Sequence, residues 1–215
     1  MTGSGLATLE DAARGLRPRW PSAKPLPRLF CLTDPARTPD VAALAGSLPT
    51  GCGLIFRAFG AADAVLQGRR LAIIAAERGL VLLAGADPQL ARDIGAAGVH
   101  LPERSRDQIT ALRARRPAWI ITCAAHSLAA ARAAAGLGVD AVLVSPVFPS
   151  NSPSAGPPLG PGAFADIVRA TDAPVFALGG VTAETAPLLL DSGASGLAGI
   201  EGFGSGGQPV IRAHH

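Results

Sequence analysis

Gly95-Ala96-Ala97-Gly98-Val99, Gly138-Val139-Asp140-Ala141-Val142 and Gly193-Ala194-Ser195-Gly196-Leu197 share one punctuation. In each, a glycine ends an Ala/Leu-rich segment and an apolar run follows almost at once. Glycine adopts the left-handed conformation that closes a helix, and a strand directly behind it marks a strand–helix repeat. Working outward, short apolar runs recur at residues 29–32, 54–56, 80–84, 98–101, 119–123, 141–144, 175–178 and 196–200. They are too short and too unalternating for half-exposed antiparallel strands, and read as parallel strands buried on both faces. Segments with helical spacing lie between them at 62–78, 89–94, 106–115, 128–135, 163–169 and 183–190. In the first, Val65, Leu71, Ile74 and Ala75 fall on one side, with Arg69, Arg70, Glu77 and Arg78 largely on the other.

Eight such strands with intervening helices predict an α/β fold, a small (β/α)8 TIM barrel. A doubly wound sheet is the competing architecture, but it would place a glycine-rich loop after the first strand, where Thr33-Asp34-Pro35 stands. The division expected is a helix and Pro/Arg-rich lead-in over 1–28, the barrel over 29–203, and a short Gly-rich tail over 204–215. So short a tail predicts a truncated or absent eighth helix, with an oligomer contact as one way to cover that side.

The 215 residues include 26 glycines, 19 prolines, 43 alanines, 18 arginines, five glutamates, one lysine (Lys24) and no tyrosine. Hydrophobic residues make up 48% and charged residues 16%, which excludes disorder. Acid–base or nucleophilic work is therefore left to four histidines, sixteen carboxylates, three cysteines and the hydroxyls. The net charge is +3, but the arginines are scattered without interleaved aromatics, which argues against nucleic-acid binding. Cys31, Cys52 and Cys123 have neither metal-ligand nor disulfide spacing and read as buried thiols of a cytoplasmic protein. There is no signal-like start and no apolar run of membrane length.

In a barrel of this kind the chemistry sits at the C-terminal ends of the strands. Arg57, just beyond Leu54-Ile55-Phe56, needs an anion, either a protein carboxylate such as Asp34 or a ligand phosphate. Gly179-Gly180 offers backbone N–H groups to a phosphate at a helix start, or makes a tight turn. His100 and His126 end strands at the same mouth, as hydrogen-bonded supports or as acid–base groups. The long loop from Ser145 through Ser150 and Ser152 to Gly160 has the character of a lid or ligand clamp.

Taken in order, Leu32-Thr33-Asp34, Arg57, Gly98-Val99-His100-Leu101, Ala125-His126-Ser127, Ser145-Pro146-Val147-Phe148, Leu159-Gly160, Gly179-Gly180-Val181 and Gly196-Leu197-Ala198 resemble the thiamine phosphate synthase/TenI (thiazole tautomerase) family over residues 29–203. The resemblance implies a transferase that joins a pyrimidine pyrophosphate to a thiazole phosphate and releases pyrophosphate. It implies Arg57 and His126 as catalytic residues. His100, Ser150, Ser152, Gly179, Gly180 and Gly199 would then contact phosphate or substrate. It also implies Mg2+, whose usual carboxylate positions read Ala86 and Ser105 here, with Asp87 one place further on as a possible ligand. The family's Gln-x-Arg-x-Lys strand reads Ile55-Phe56-Arg57-Ala58-Phe59. Its later lysine position reads Pro153, the serine position near strand eight reads Glu201, and the tautomerase histidine position reads Pro146. A non-catalytic relative that binds a thiamine-pathway metabolite is the alternative. A phosphate-handling aldolase would need a strand-end lysine, which is missing.

Overall fold

The structure, a computed structural model, describes residues 9–150, 152 and 156–200. The expectations for residues 1–8, for the end of the barrel at 201–203, for the 204–215 tail and for any eighth helix lie outside the described residues. Eight parallel strands form a closed ring in sequence order: β1 (Leu29–Leu32), β2 (Gly53–Phe56), β3 (Val81–Gly85), β4 (Gly98–Leu101), β5 (Ile120–Ala125), β6 (Ala141–Val144), β7 (Val175–Ala177) and β8 (Gly196–Gly199). β8 pairs back onto β1, Phe30 opposite Ala198. The helices are α1 (Leu9–Gly15), α2 (Val41–Ser47), α3 (Ala64–Arg78), α4 (Pro88–Asp93), α5 (Ile109–Arg115), α6 (Leu128–Gly136) and α7 (Gly160–Arg169). The three glycines quoted first, Gly95, Gly138 and Gly193, have φ of 68°, 86° and 81°. Only glycine adopts that region without strain, so each helix stops there and the strand follows.

Period-two alternation splits every strand but β4 between two apolar cores. Phe30, Leu32, Ile55, Leu83, Ile120, Leu143, Phe176 and Ala198 fill the barrel interior. The rings of Phe30 and Phe176 meet edge-on with centroids 5.3 Å apart. Alternate residues, among them Cys31, Leu54, Val99, Ile121, Val142 and Leu197, face the larger core beneath the helices. All three cysteines are buried free thiols.

Two helical segments differ from their sequence reading. The stretch expected as a helix over 183–190 is a single 3-10 turn, Ala186–Leu189. Pro187 has no N–H for the carbonyl of Ala183, and its ring crowds that carbonyl. Thr182 Oγ1 meanwhile accepts the N–H groups of Glu184 and Thr185, which holds the chain in a local turn. Ahead of α5, residues 103–108 form a 3-10 turn kinked at Ser105, so the helix begins at Ile109. The sequence reading also passed over α2, which is capped by Asp40 and buries only Ala45.

The seam between β8 and β1 is covered by the chain's own start. α1 packs against β1, β8 and the Ala186–Leu189 turn, burying Leu9, Ala12 and Ala13, with Leu16 just beyond. The lead-in then crosses the N-terminal end of the barrel. Arg19 N–H donates to Gly193 O (2.9 Å), and Leu26 packs against the interior cluster. Lys24 reaches Asp140 (3.3 Å) and the carbonyl of Trp119. Asp140 is almost fully buried. It also accepts Ile121 N–H (2.7 Å) and Arg113 Nη2 (2.5 Å), so its charge is paired on two sides. Among the described residues no helix is long and apolar enough to cross a membrane.

If α1 serves as the eighth cover of the barrel, Leu16→Ala lowers the unfolding free energy by about 2–5 kcal/mol. Leu66→Ala, at an exposed position of α3, changes it by less than about 0.5 kcal/mol. Urea unfolding followed by circular dichroism measures both.

Candidate active site

Arg57 leaves β2 at the C-terminal mouth and is held on several sides. Its Nε donates to the carbonyl of Thr33 (2.6 Å) and its Nη2 to Asp34 Oδ2 (3.2 Å). Its backbone N–H donates to Thr33 Oγ1 (2.9 Å). Nη1 makes no hydrogen bond among the described residues. The stem lies over the end of β3, where a Cβ on Gly85 would stand 2.7 Å from Arg57 Cγ. Burial pulls the guanidinium below its ordinary pKa and Asp34 pulls it back; a guanidinium stays charged throughout. Asp34 also binds Arg37 (3.3 Å). Burial works to raise the Asp34 carboxyl, but bonds and charge from Arg37, the Ala36 N–H and Arg57 hold it below the usual range. Asp34 thus partners Arg57 without enclosing it.

His100 is an interior residue of β4, in register with Gly85 on one side and Thr122 on the other. Its Nδ1 is 2.9 Å from Thr122 Oγ1. Burial, with the positive charge of Arg57 added, pushes its pKa down to about 4, so the ring is neutral at the floor of the mouth. His126 lies beyond β5 and is half exposed. Its Nδ1 is 2.8 Å from Glu103 Oε2, the oxygen that also accepts its backbone N–H (2.9 Å). Burial favours protonation of Glu103, yet these two bonds, with Arg106 nearby, hold it below the usual carboxylate range. A carboxylate on Nδ1 fixes the ring. The mouth therefore joins Thr33, Asp34, Arg57, Gly85 and His100 in one group and Glu103 and His126 in another.

On the far side the β6 loop is pinned to β7. Val147 N–H donates to Leu178 O (2.9 Å) and Phe148 N–H to Gly179 O (3.0 Å). A Cβ on Gly179 would lie 2.8 Å from Pro146 Cα, and one on Gly180 2.3 Å from Pro149 O. Both glycines are required by this close crossing. No α-helix starts behind them, and their N–H groups have no partner among the described residues. Ser150 is half-buried, its Oγ accepting Ser152 N–H (3.3 Å). Gly199 is a strand residue opposite Cys31 in the β1–β8 ladder. Pro153 and Glu201 lie outside the described residues.

The donor set does not fit Mg2+. Ala86 stands in a left-handed turn (φ 63°), and Ser105 sits at the kink of its 3-10 turn. Asp87, the possible ligand, caps α4 by accepting Leu90 N–H (2.9 Å). Among the described residues no three His, Cys, Asp or Glu side chains converge as metal ligands. Sequence reasoning missed Thr33, Thr122 and Glu103 as partners of Arg57, His100 and His126. For Thr122 a signal existed: it alternates into the barrel between the apolar Ile120 and the small Ala124.

The buried neutral state of His100 has a consequence for stability. Below about 6.5 the unfolded chain takes up a proton that the folded ring refuses until about pH 4. Stability therefore falls as pH drops through that window, by on the order of 3 kcal/mol. Asp34 and Glu103, whose pKa values are depressed, contribute stability that is lost only at lower pH. Chemical denaturation at stepped pH is expected to show this slope in the wild type and its loss in His100→Gln; equal slopes would contradict a neutral buried ring.

The family model described as thiamine monophosphate synthase matches residues 32–203. The chain is 32% identical over 191 residues to the thiamine-phosphate synthase of Marinobacter nauticus, covering 85% of each protein. It is 32% identical over 202 residues to the thiamine biosynthesis bifunctional protein ThiM/ThiE of Symbiobacterium thermophilum, spanning 88% of this chain and 40% of that longer protein. Among solved structures, the thiamine phosphate pyrophosphorylase of Pyrococcus furiosus superposes with a TM-score of 0.70 at 24% identity, over 80% of this chain and 84% of that one. With the matched stretch running from the end of β1 past β8, the chain belongs to the thiamine monophosphate synthase family.

Proposed function

We propose that this chain forms thiamine phosphate, joining a pyrimidine pyrophosphate to a thiazole phosphate at the C-terminal mouth of the barrel. The observation that carries the proposal is Arg57, an ionised guanidinium fixed at the mouth by Thr33 and Asp34 with Nη1 left over. In the reaction the bond from the pyrimidine methylene carbon to the pyrophosphate oxygen breaks, the oxygen keeping the electron pair. The thiazole nitrogen then bonds to that carbon. The charge that develops lies on the departing pyrophosphate, and preorganised donors stabilise such charge best.

Arg57 Nη1 is the cationic donor, and the N–H groups of Gly179 and Gly180 are the neutral ones across the mouth. His126, its Nδ1 held by Glu103, serves as the acid that protonates the departing oxygen from Nε2. His100, neutral and fixed by Thr122, offers a hydrogen bond from the floor. Ser150 and Ser152 supply polar contacts to a phosphate from the β6 loop, and Gly199 lets a ligand approach the end of β8 without a side chain in the way. Because the usual carboxylate positions carry Ala86 and Ser105, any Mg2+ that serves the reaction would be held chiefly by the substrates' phosphates.

Purified protein is to be assayed with pyrimidine pyrophosphate, thiazole phosphate and Mg2+, following thiamine phosphate by chromatography. Turnover is expected, and Arg57→Ala should lower kcat/KM by about 10²–10³. Folded protein that forms no thiamine phosphate, or an Arg57→Ala variant as active as the wild type, would refute the proposal.

A further inference from the structure

Phe59 is the only aromatic among the large apolar side chains that the described residues expose, at 68%. It follows β2 at the rim of the mouth. Its backbone is left-handed, with φ of 49°, a region disfavoured for a residue carrying a Cβ and a ring. Only one other described non-glycine residue shares this conformation, Ala86, and it lies at the end of the neighbouring strand. The ring of Phe59 stands over the guanidinium of Arg57, 5.2 Å from Cζ to centroid. A left-handed backbone thus holds an aromatic ring out of the core and against the guanidinium of Arg57.

Burial does not account for this placement, because most of the ring remains in water. Support of Arg57 does not demand it either, since Thr33, Asp34 and Gly85 already fix that side chain. What the placement creates is a composite surface. The Phe59 ring meets Arg57, and its exposure leaves an apolar surface at the rim beside the guanidinium. A planar ring bearing a phosphate group matches both features together, whereas a phosphate without a ring uses only the guanidinium. A strained residue that serves no packing purpose is the kind of outlier that clusters at ligand clamps.

We infer that Phe59 is a specificity-determining residue, stacking on the aromatic ring of a ligand whose phosphate meets Arg57. The inference rests on the function proposed above and adds a requirement of its own: selectivity for ring-bearing phosphates must reside in this side chain. The experiment compares thiamine phosphate with inorganic pyrophosphate by titration calorimetry, using wild type, Phe59→Leu, Phe59→Asn and Phe59→Tyr. Phe59→Leu and Phe59→Asn are expected to weaken thiamine phosphate about tenfold, the scale of one aromatic stack. Pyrophosphate should stay within about twofold, and Phe59→Tyr should restore ring binding. Asparagine tolerates the left-handed backbone, so Phe59→Asn is expected not to lower Tm, which separates ligand binding from folding.

Unchanged thiamine phosphate affinity in Phe59→Leu and Phe59→Asn would overturn the inference and leave the proposed function standing. Equal weakening of both ligands would also overturn it, since Phe59 would then act only by positioning Arg57. Wild-type protein that neither binds nor forms thiamine phosphate would overturn both readings.

Discussion

Closure of the strand ring is the constraint from which the rest of the structure follows. With β8 hydrogen-bonded to β1, no strand has a free edge, and the interior is just wide enough for side chains to fill. Every strand is then buried on both faces, so the outer cover must be continuous around the ring. At the β8–β1 seam α1 supplies it, and the lead-in behind α1 seals the N-terminal end. The interior obeys the same economy of space. The crossed rings of Phe30 and Phe176 are accommodated by glycines opposite them: a Cβ on Gly53 would lie 2.1 Å from Phe30, and one on Gly196 2.2 Å from Phe176.

Towards the C-terminal end the interior turns polar, and closure decides its electrostatics. Arg57 and His100 share a poorly hydrated space, and a second positive charge there would be both desolvated and repelled. The guanidinium keeps its proton because its intrinsic pKa is high, and the imidazole gives its proton up. His100 is thereby confined to hydrogen bonding. His126, outside the ring, is half exposed and bound through Nδ1 to Glu103. The two histidines look equivalent as strand-end residues, and burial separates their roles.

The strands were legible because burial on both faces leaves a short uniform apolar run. The helix ends were legible at Gly95, Gly138 and Gly193 because the left-handed conformation selects glycine. Features set by distant contacts were not. α2 buries a single alanine, so it has almost no apolar stripe to read. Pro187 inside an apolar segment was a local signal against a helix at 183–190, and periodicity alone overrode it. Where α1 docks depends on closure of a ring whose ends are far apart in sequence. At the site, position at a strand end was readable, but pairing was not: Glu103 and His126 are 23 residues apart, as are Asp34 and Arg57, and only the fold brings them together. Gly179-Gly180 shows the limit most clearly, since the pair permits both a close crossing and a phosphate cradle, and the crossing by Pro146 and Pro149 requires glycine whatever else the N–H groups do.

The scarcity of lysine takes on a definite meaning in this geometry. Lys24 is spent at the N-terminal end of the barrel, on Asp140 and the carbonyl of Trp119, away from the mouth. The cations described at the mouth are arginines, which hold their charge and bind planar anions through a fixed edge but do not exchange protons at neutral pH. Under the function proposed above, charge stabilisation falls to Arg57 and proton transfer to His126, two different side chains. A lysine beside Arg57 would add a mobile positive charge. The ring of Phe59 adds none and stands against the guanidinium, 5.2 Å from Cζ to the ring centroid. On the inference drawn from Phe59, such a mouth selects a planar ring that carries a phosphate.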